Sequence, residues 1–390
     1  MLIRGARVAI DATKAMNRSL WIQGGRVSFS PIREAEDLVL DLEGFLILPG
    51  LINAHDHLEM NLFPRLGRGL YLNATRWAED IYHPYDTPIK EHLTVPKDIR
   101  LCWGAIKNLL SGVTSVAHHN PLHPILLDSE FPIRVLKRCH WAHSLTFSPD
   151  WLSTFRDTPT NWPFIMHVAE GVDESARREV HVLAEAGALT DSTVLVHGVA
   201  IKSSELMLIS SSGASLIWCP SSNHFTLGRS LDVSVLASDI PIALGTDSSM
   251  TAAGDLLDEL RLACRIVAPE RLFEMVTSEA ARILKMPFGF GRICHAGPAD
   301  LLVIEDDGEI PAGSLLSKYP QLVFVKGRPV LASSNFAEKY YPSAPSRGFF
   351  ALQVERRGLY LIALNAPSLV HETKKVLHDD LRLAGKAIAA

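Results

Sequence analysis

The stretch from Phe45 to His57, Phe-Leu-Ile-Leu-Pro-Gly-Leu-Ile-Asn-Ala-His-Asp-His, restricts the fold of this chain more than any other. An apolar run, Leu46 to Ile52, is broken by the turn pair Pro49-Gly50 and ends in His55-Asp56-His57. Side chains alternate along a strand, so His55 and His57 point to one side and Asp56 to the other. Two imidazoles on one face, at the polar end of a buried strand, can hold one divalent metal ion. An isolated His-x-His also fits two solvent-facing loop histidines, because so short a motif recurs by chance. The rest of the chain decides between the two.

Before this stretch the sequence is β-like. Ser19 to Gln23, Gly24-Gly25 and Arg26 to Ser30 compose a hairpin with a glycine turn, and Leu38 to Leu42 is a further short strand. These strands precede residue 46 and need a second layer to bury against. Ala299 to Ile304 and Leu322 to Val330 supply candidates, which predicts a small β-sandwich built from both chain ends. After it, strand and helix patterns alternate. Thr94 is placed to cap a helix entered at Val95-Pro96 and stopping at Gly112, followed by the strand Val113 to Ala117. Asp173 caps a helix to Gly187, and further helices are expected near 203–211, near 232–238, from Asp255, and from Pro269 to about Leu284. Short strands end at His167, at His197, at Trp218 and just before Asp247. Such alternation is the mark of a parallel α/β barrel with function at the strand C-termini, and 390 residues accommodate a barrel of ~250 with a smaller partner. The predicted fold is a TIM-like (β/α)8 barrel over 46–295, with a β-sandwich from 1–45 plus 296–335. Residues 336–390 form a C-terminal extension, in which Val370 to Ala389 reads as a terminal helix packing on the barrel or on another subunit of a homo-oligomer.

Composition excludes several classes. A net charge of −5 argues against a nucleic-acid footprint, and without any run of 18 apolar residues no membrane span is expected. Met1 to Arg7 lacks a long apolar core and cleavage site, and five scattered cysteines form no CxxC pair, so a cytoplasmic protein with reduced thiols is expected.

Four more motifs follow in order: Met166-His167-Val168-Ala169-Glu170-Gly171, Val196-His197-Gly198, Trp218-Cys219-Pro220-Ser221-Ser222-Asn223 and Leu244-Gly245-Thr246-Asp247-Ser248. Together with His55-Asp56-His57 the set resembles the amidohydrolase superfamily, in its mononuclear branch of aminohydrolases, which includes adenosylhomocysteine and guanine deaminases and triazine hydrolases. The resemblance covers about residues 1–335. It implies that His55, His57, His167 and Asp247 bind one divalent metal ion, zinc or, as the alternative, iron. Dinuclear branches use a carboxylated lysine as a bridge; no lysine occurs between Lys137 and Lys202, which favours one metal.

Glu170 matches the family's His-x-x-Glu and is expected to shuttle protons without touching the metal. His197 matches a histidine that orients the attacking water, and Asp247 both ligates and relays a proton. Asn223 matches the segment that caps the pocket. Cys219 is read as packing. Between 63 and 93 no clean period appears, and Arg65, Arg68 and Trp77 are candidate substrate contacts in a lid. His118 and His119, where relatives usually end this strand in an acidic or small residue, are either substrate contacts or scaffolding. The implied activity is hydrolysis of an exocyclic C–N bond on a heteroaromatic or cyclic small molecule, releasing ammonia. The alternatives are attack on a cyclic amide, an amidine or guanidine C–N bond or a C–Cl bond; a non-catalytic scaffold is disfavoured because no ligand is missing.

Overall fold

The computed structural model describes residues 1–31, 38–344, 348–378 and 380–390. Among them, eight parallel strand segments form the centre: Leu51–Asp56, Val113–His118, Arg134–Val135, His140–Ala142, Phe164–Val168, Thr193–His197, Ser215–Trp218 and Ile242–Leu244. They pair in two runs, the first three and the last five, each parallel to its neighbour. Both faces are buried, which is why the segments read as unbroken apolar runs. Ile52, Ala54, Ala117, Ile165, Val194, Val196, Ile217 and Ala243 share one cluster, while Leu51, Val116, Met166, Leu195 and Leu216 join the larger core with the helices.

The first and last segments meet through the backbone. Thr246 and Asp247 N–H groups donate to the His55 carbonyl at 3.0 and 3.1 Å. Gly245 makes this approach feasible, because a Cβ there would lie 2.7 Å from that of His55. Regular alternation fails at one place. Only residues 136–139 separate Arg134–Val135 from His140–Ala142, too few for a helical crossover.

The chain ends build the expected sandwich. A four-stranded sheet (Arg26–Ser28, Leu20–Gln23, Leu2–Arg4, Val39–Asp41) faces a ten-stranded one across Ile3, Leu20, Leu40, Ile47, Leu301, Val303 and Phe324. The hairpin holds as expected: Ile22 opposes Val27, and Gly24 and Gly25 turn with φ of +55° and +73°.

Several expectations need correction. Phe45–Pro49 pairs antiparallel with Leu301–Glu305 and parallel with Arg7–Ala9, so it belongs to the sandwich and the barrel begins at Leu51. The apolar run conceals the change of sheet, and only the Pro49-Gly50 turn marks it. Thr94 does not cap; it ends the helix Ile89–Thr94, and its hydroxyl donates to the Lys90 carbonyl, while the next helix, Lys97–Leu109, starts behind Pro96. The segment from Pro269 splits into Pro269–Met275 and Ser278–Ile283 around Thr277, whose backbone leaves the helical region. The terminal helix at 370–389 is not formed as expected. Ala366–Lys374 is helical, and then Arg382–Leu383 and Lys386–Ala389 extend the ten-stranded sheet, with Leu383 and Ile388 buried.

Polar contacts fasten the C-terminal extension to the barrel. Arg357 Nη2 lies 2.6 Å from Asp255 Oδ2, with side chains only 1% and 2% exposed, and Arg357 Nη1 donates to the Leu110 carbonyl. Lys386 reaches Asp258 at 2.7 Å, and Trp103 donates to Thr373 Oγ1. Removing one partner of a buried pair strands the other. Arg357→Met is therefore expected to lower stability by about 3 kcal/mol, read from the urea midpoint. A loss below about 1 kcal/mol would mean that apolar contacts alone hold the extension.

Candidate metal centre and active site

The histidines converge where the strands end. His55 lies in the first barrel strand with His57 just beyond it; His167 lies in Phe164–Val168, His197 ends Thr193–His197, and Asp247 follows Ile242–Leu244. Two donor groups, His55/His167/His197 and His55/His57/Asp247, each have ligand atoms within 4.8 Å of one another. His55 belongs to both. Its Nε2 lies 3.2 Å from His167 Nε2 and 3.8 Å from Asp247 Oδ1, and His57 Nε2 lies 3.6 Å from the same oxygen.

This arrangement fits one divalent cation. His167 Nδ1 donates to the His143 carbonyl at 2.6 Å, which leaves Nε2 with its lone pair towards His55. Burial, with the neighbouring imidazoles adding to it, holds His55 and His167 well below the usual histidine range, so both are neutral donors. Burial opposes ionisation of Asp247, but His57, His197 and the hydroxyls of Ser222 and Thr251 outweigh it and keep the carboxylate charged. Neutral imidazoles facing each other beside a carboxylate have little reason to converge without a cation. His197 differs. Asn223 Nδ2 donates to its Nδ1 at 2.8 Å, putting the proton on Nε2, 3.5 Å from Glu170 Oε1. Burial pushes His197 down to about 4.

Glu170 is driven the other way. Burial first, then Asp247 and Glu179, raises its carboxyl well above the usual range, favouring the protonated acid. Glu179 itself is pushed up to about 7 by burial, although the Ala169 N–H donates to it at 2.7 Å. Ala169, His197 and Asp247 have φ of +56°, +78° and +54°. Left-handed backbone at non-glycine residues costs roughly 1–3 kcal/mol each and clusters at functional sites.

A polar network that sequence reasoning did not find lies behind the first strand. Asp56 points away from His55 and His57, as alternation requires, and meets Lys107 at 3.4 Å, with side chains 0% and 1% exposed. Asn53, Asn61, Asn108 and Thr246 all donate to the same carboxylate, and Lys107 also donates to Asn61 and Thr246. The network ties the His-x-His strand to the residue preceding Asp247. Lys107 hides in a helix whose other buried residues are mostly apolar, so periodicity gave no signal for it.

A cavity of about 670 Å³ opens over the donors. Trp77, Ile81, Tyr82, Phe147, Met60 and Met250 form apolar walls, and His57, His167, Glu170, His197 and Asp247 its polar floor. Of the expected substrate contacts, Trp77 lines it. Arg65 stacks on Phe225, and Arg68 is exposed; neither is among the lining residues. His118 and His119 are buried away from it. The Leu58 N–H donates to His118 Nδ1, and its Nε2 lies 3.4 Å from Glu59. His119 packs against His55, His167 and Trp141 and donates to the Ala142 carbonyl. Asn223 acts behind His197 rather than on the cavity wall. Cys219 is fully buried, and burial raises its thiol well above the usual range, which suits packing. His143, Glu179 and Ser222 were not singled out as site residues; proximity of Ser222 to Asn223 was the one available hint.

Residues 161–330 match the model described as the amidohydrolase family. With the geometry above, this defines the class: the chain is a metal-dependent hydrolase acting on carbon–nitrogen bonds, similar over those residues to the amidohydrolases. More particularly, it is similar to proteins named 5-methylthioadenosine/S-adenosylhomocysteine deaminase. That of Pyrococcus horikoshii is 26% identical, with 78% of this chain and 86% of the relative covered. That of Halobacterium salinarum is 25% identical, with 70% and 76% covered. Among solved structures, a zinc-bound adenosine deaminase from Xanthomonas campestris superposes with a TM-score of 0.70 at 16% identity, covering 96% and 97% of the two chains. A glutamate-to-glutamine mutant of atrazine chlorohydrolase from Arthrobacter aurescens, complexed with zinc and atraton, gives 0.67 at 18%, covering 84% and 94%. These likenesses establish the fold. Among the described residues no helix is long and apolar enough to cross a membrane.

Partners of metal ligands set metal affinity, losing one typically costing ~10–100-fold; Lys107 bonds to no donor itself but fixes the strand that carries His55 and His57 through Asp56. Lys107→Met should therefore weaken metal binding by about that factor in a chelator competition, without touching any donor. Unchanged affinity in a folded variant would confine the network to stability.

Proposed function

We propose that this protein hydrolyses an exocyclic amino group from an uncharged heteroaromatic ring, releasing ammonia, with His55, His57, His167 and Asp247 holding a single zinc ion (iron being the alternative). When bound, such an ion supplies a Lewis acid that lowers the pKa of water. The observation that carries the reading is Glu170: a largely buried carboxyl on the cavity floor, 3.5 Å from His197 Nε2, where burial raises its pKa and favours the protonated acid. Glu170 delivers its proton to a ring nitrogen, and the resulting carboxylate takes the proton of the attacking water and passes it to the departing amine. The His197 Nε2–H orients that water, and Asp247, fixed by Ser222 and Thr251, accepts from it on the opposite side. The aromatic walls exclude bulk water and stack the ring.

The same cavity argues for substrate charge. Among the described residues no lysine or arginine lines it, whereas Glu79, Glu170 and Glu179 do. A carboxylate or phosphate on the substrate would be desolvated without a counter-ion. Of the two compounds in the relatives' name, the thioether nucleoside without a carboxylate suits this lining better. We also place the protein in the cytoplasm, a reading supported by cysteines that all remain unpaired.

Glu170→Gln should keep its fold and close to one metal ion per chain by elemental analysis, yet lose ~10²–10⁴-fold in kcat. Near-normal turnover with metal bound would hand the proton relay to His197 and Asp247. In a competition between 5-methylthioadenosine and S-adenosylhomocysteine, the neutral nucleoside should show the higher kcat/KM, by roughly tenfold or more. A preference for the carboxylate-bearing compound would overturn the charge argument while leaving the deaminase reading intact.

A further inference from the structure

A second cavity, of about 360 Å³, shares no lining residue with the first. It lies where the barrel meets the sandwich. Ser115, three residues before His118 on the same strand, and Arg134, which opens the adjacent strand, form one wall. Met286, Pro287 and Phe290 form another, and Lys326 enters from the hairpin turn between Leu322–Val325 and Arg328–Ser333. Its volume lies within the range of small-molecule sites.

Its charge runs against that of the molecule. The chain carries a net −5, yet Arg134, Lys137, Arg138, Lys285 and Lys326 all line this cavity, opposed there by one acid, Asp128. Asp300 takes the Nε edge of Arg134 at 2.5 Å. Lys285 lies 3.8 Å from Asp191 and donates to the Thr160 carbonyl. Among the described residues, Lys137, Arg138 and Lys326 have no carboxylate oxygen within 4 Å; Lys137 and Lys326 donate to the backbone carbonyls of Leu127 and Ser129. Burial, with Arg134 and Lys137 adding to it, lowers the Lys326 ammonium below its usual range, as expected of gathered like charges. A second observation is independent of charge. Ser115 is 2% exposed, lines the cavity, and its hydroxyl has no hydrogen-bond partner. An unmet buried hydroxyl beside surplus cations calls for an acceptor carrying negative charge.

We propose that this cavity binds a phosphate group, either free orthophosphate or the phosphoryl group of a small molecule, with Arg134, Arg138 and Lys326 as its cations and the Ser115 hydroxyl as a donor. Tetrahedral oxygens can accept from several of these groups at once, and guanidinium groups match them in pairs. The site lies apart from the deaminase cavity, and its ligand is not the substrate.

The test is equilibrium binding of orthophosphate and of glycerol 3-phosphate to the metal-loaded full chain, by calorimetry and by the rise in Tm. Millimolar or tighter binding is expected. Arg138→Glu, an exposed change that spares the fold, and Ser115→Ala should each weaken it, the former by roughly tenfold or more, with deaminase kcat unchanged. Tighter binding of glycerol 3-phosphate assigns the site to a phosphorylated small molecule, and equal or tighter binding of orthophosphate to the free ion; both support the proposal. Absence of binding at millimolar concentration, or affinity unaltered in both variants, overturns it.

Discussion

Behind the paired histidines, a lysine and an aspartate meet with almost no water around them. Asp56 occupies the position between His55 and His57 but faces the other way, and Lys107 and four polar side chains close around its carboxylate. A buried charge with so many partners is expensive to disturb. Any tilt of the strand that moved the imidazoles would break several of these contacts together. Thr246 belongs to the same cluster, so the opposite end of the barrel circuit, which carries Asp247, is held to the same point. Gly245 permits the close passage that makes this feasible.

The remaining donors depend on neighbours in the same manner. The His143 carbonyl fixes the His167 ring, Asn223 sets the proton on His197, and Ser222 and Thr251 hold Asp247. The partners come from segments beyond the strand ends, Ser222 and Asn223 from the one helix Pro220–Leu227, where a barrel can vary its chemistry without altering its core. The cavity above is apolar on its sides and acidic towards its floor, a distribution suited to a flat, uncharged ring.

Motif and period made much of this legible. The His-x-His alternation placed both rings on one side of a strand, Asp173 caps the helix it was expected to cap, a helix starts at Asp255 as expected, and the glycine hairpin formed in register. What escaped were relations that pattern cannot carry. Phe45–Pro49 is as apolar as the barrel strand after it, so no local cue tells which sheet it joins. The C-terminal apolar residues fit a helix until Gly385, with φ of +74°, folds them into a hairpin. Arg65 and Arg68 carry charge near the site in sequence but lie off the cavity in space, whereas Lys107, buried in a helix, is the cation that touches the metal strand's own carboxylate. The shortened passage from Arg134 to Ala142, with no helix inside it, left no trace in the spacing of the motifs.

His197 and Asp247 both sit in left-handed backbone. Among residues with a Cβ, asparagine, aspartate and histidine tolerate that conformation best, and branched or bulky side chains do so poorly. Two filters, one of site chemistry (coordination at Asp247, hydrogen bonding at His197) and one of backbone shape, therefore act on the same positions and admit nearly the same short set of amino acids. At position 247 a glutamate would keep the charge but meet the conformational barrier, and an asparagine would keep the shape but surrender the charge. Such doubly constrained positions leave a lineage little room to drift, even as the loops around them change.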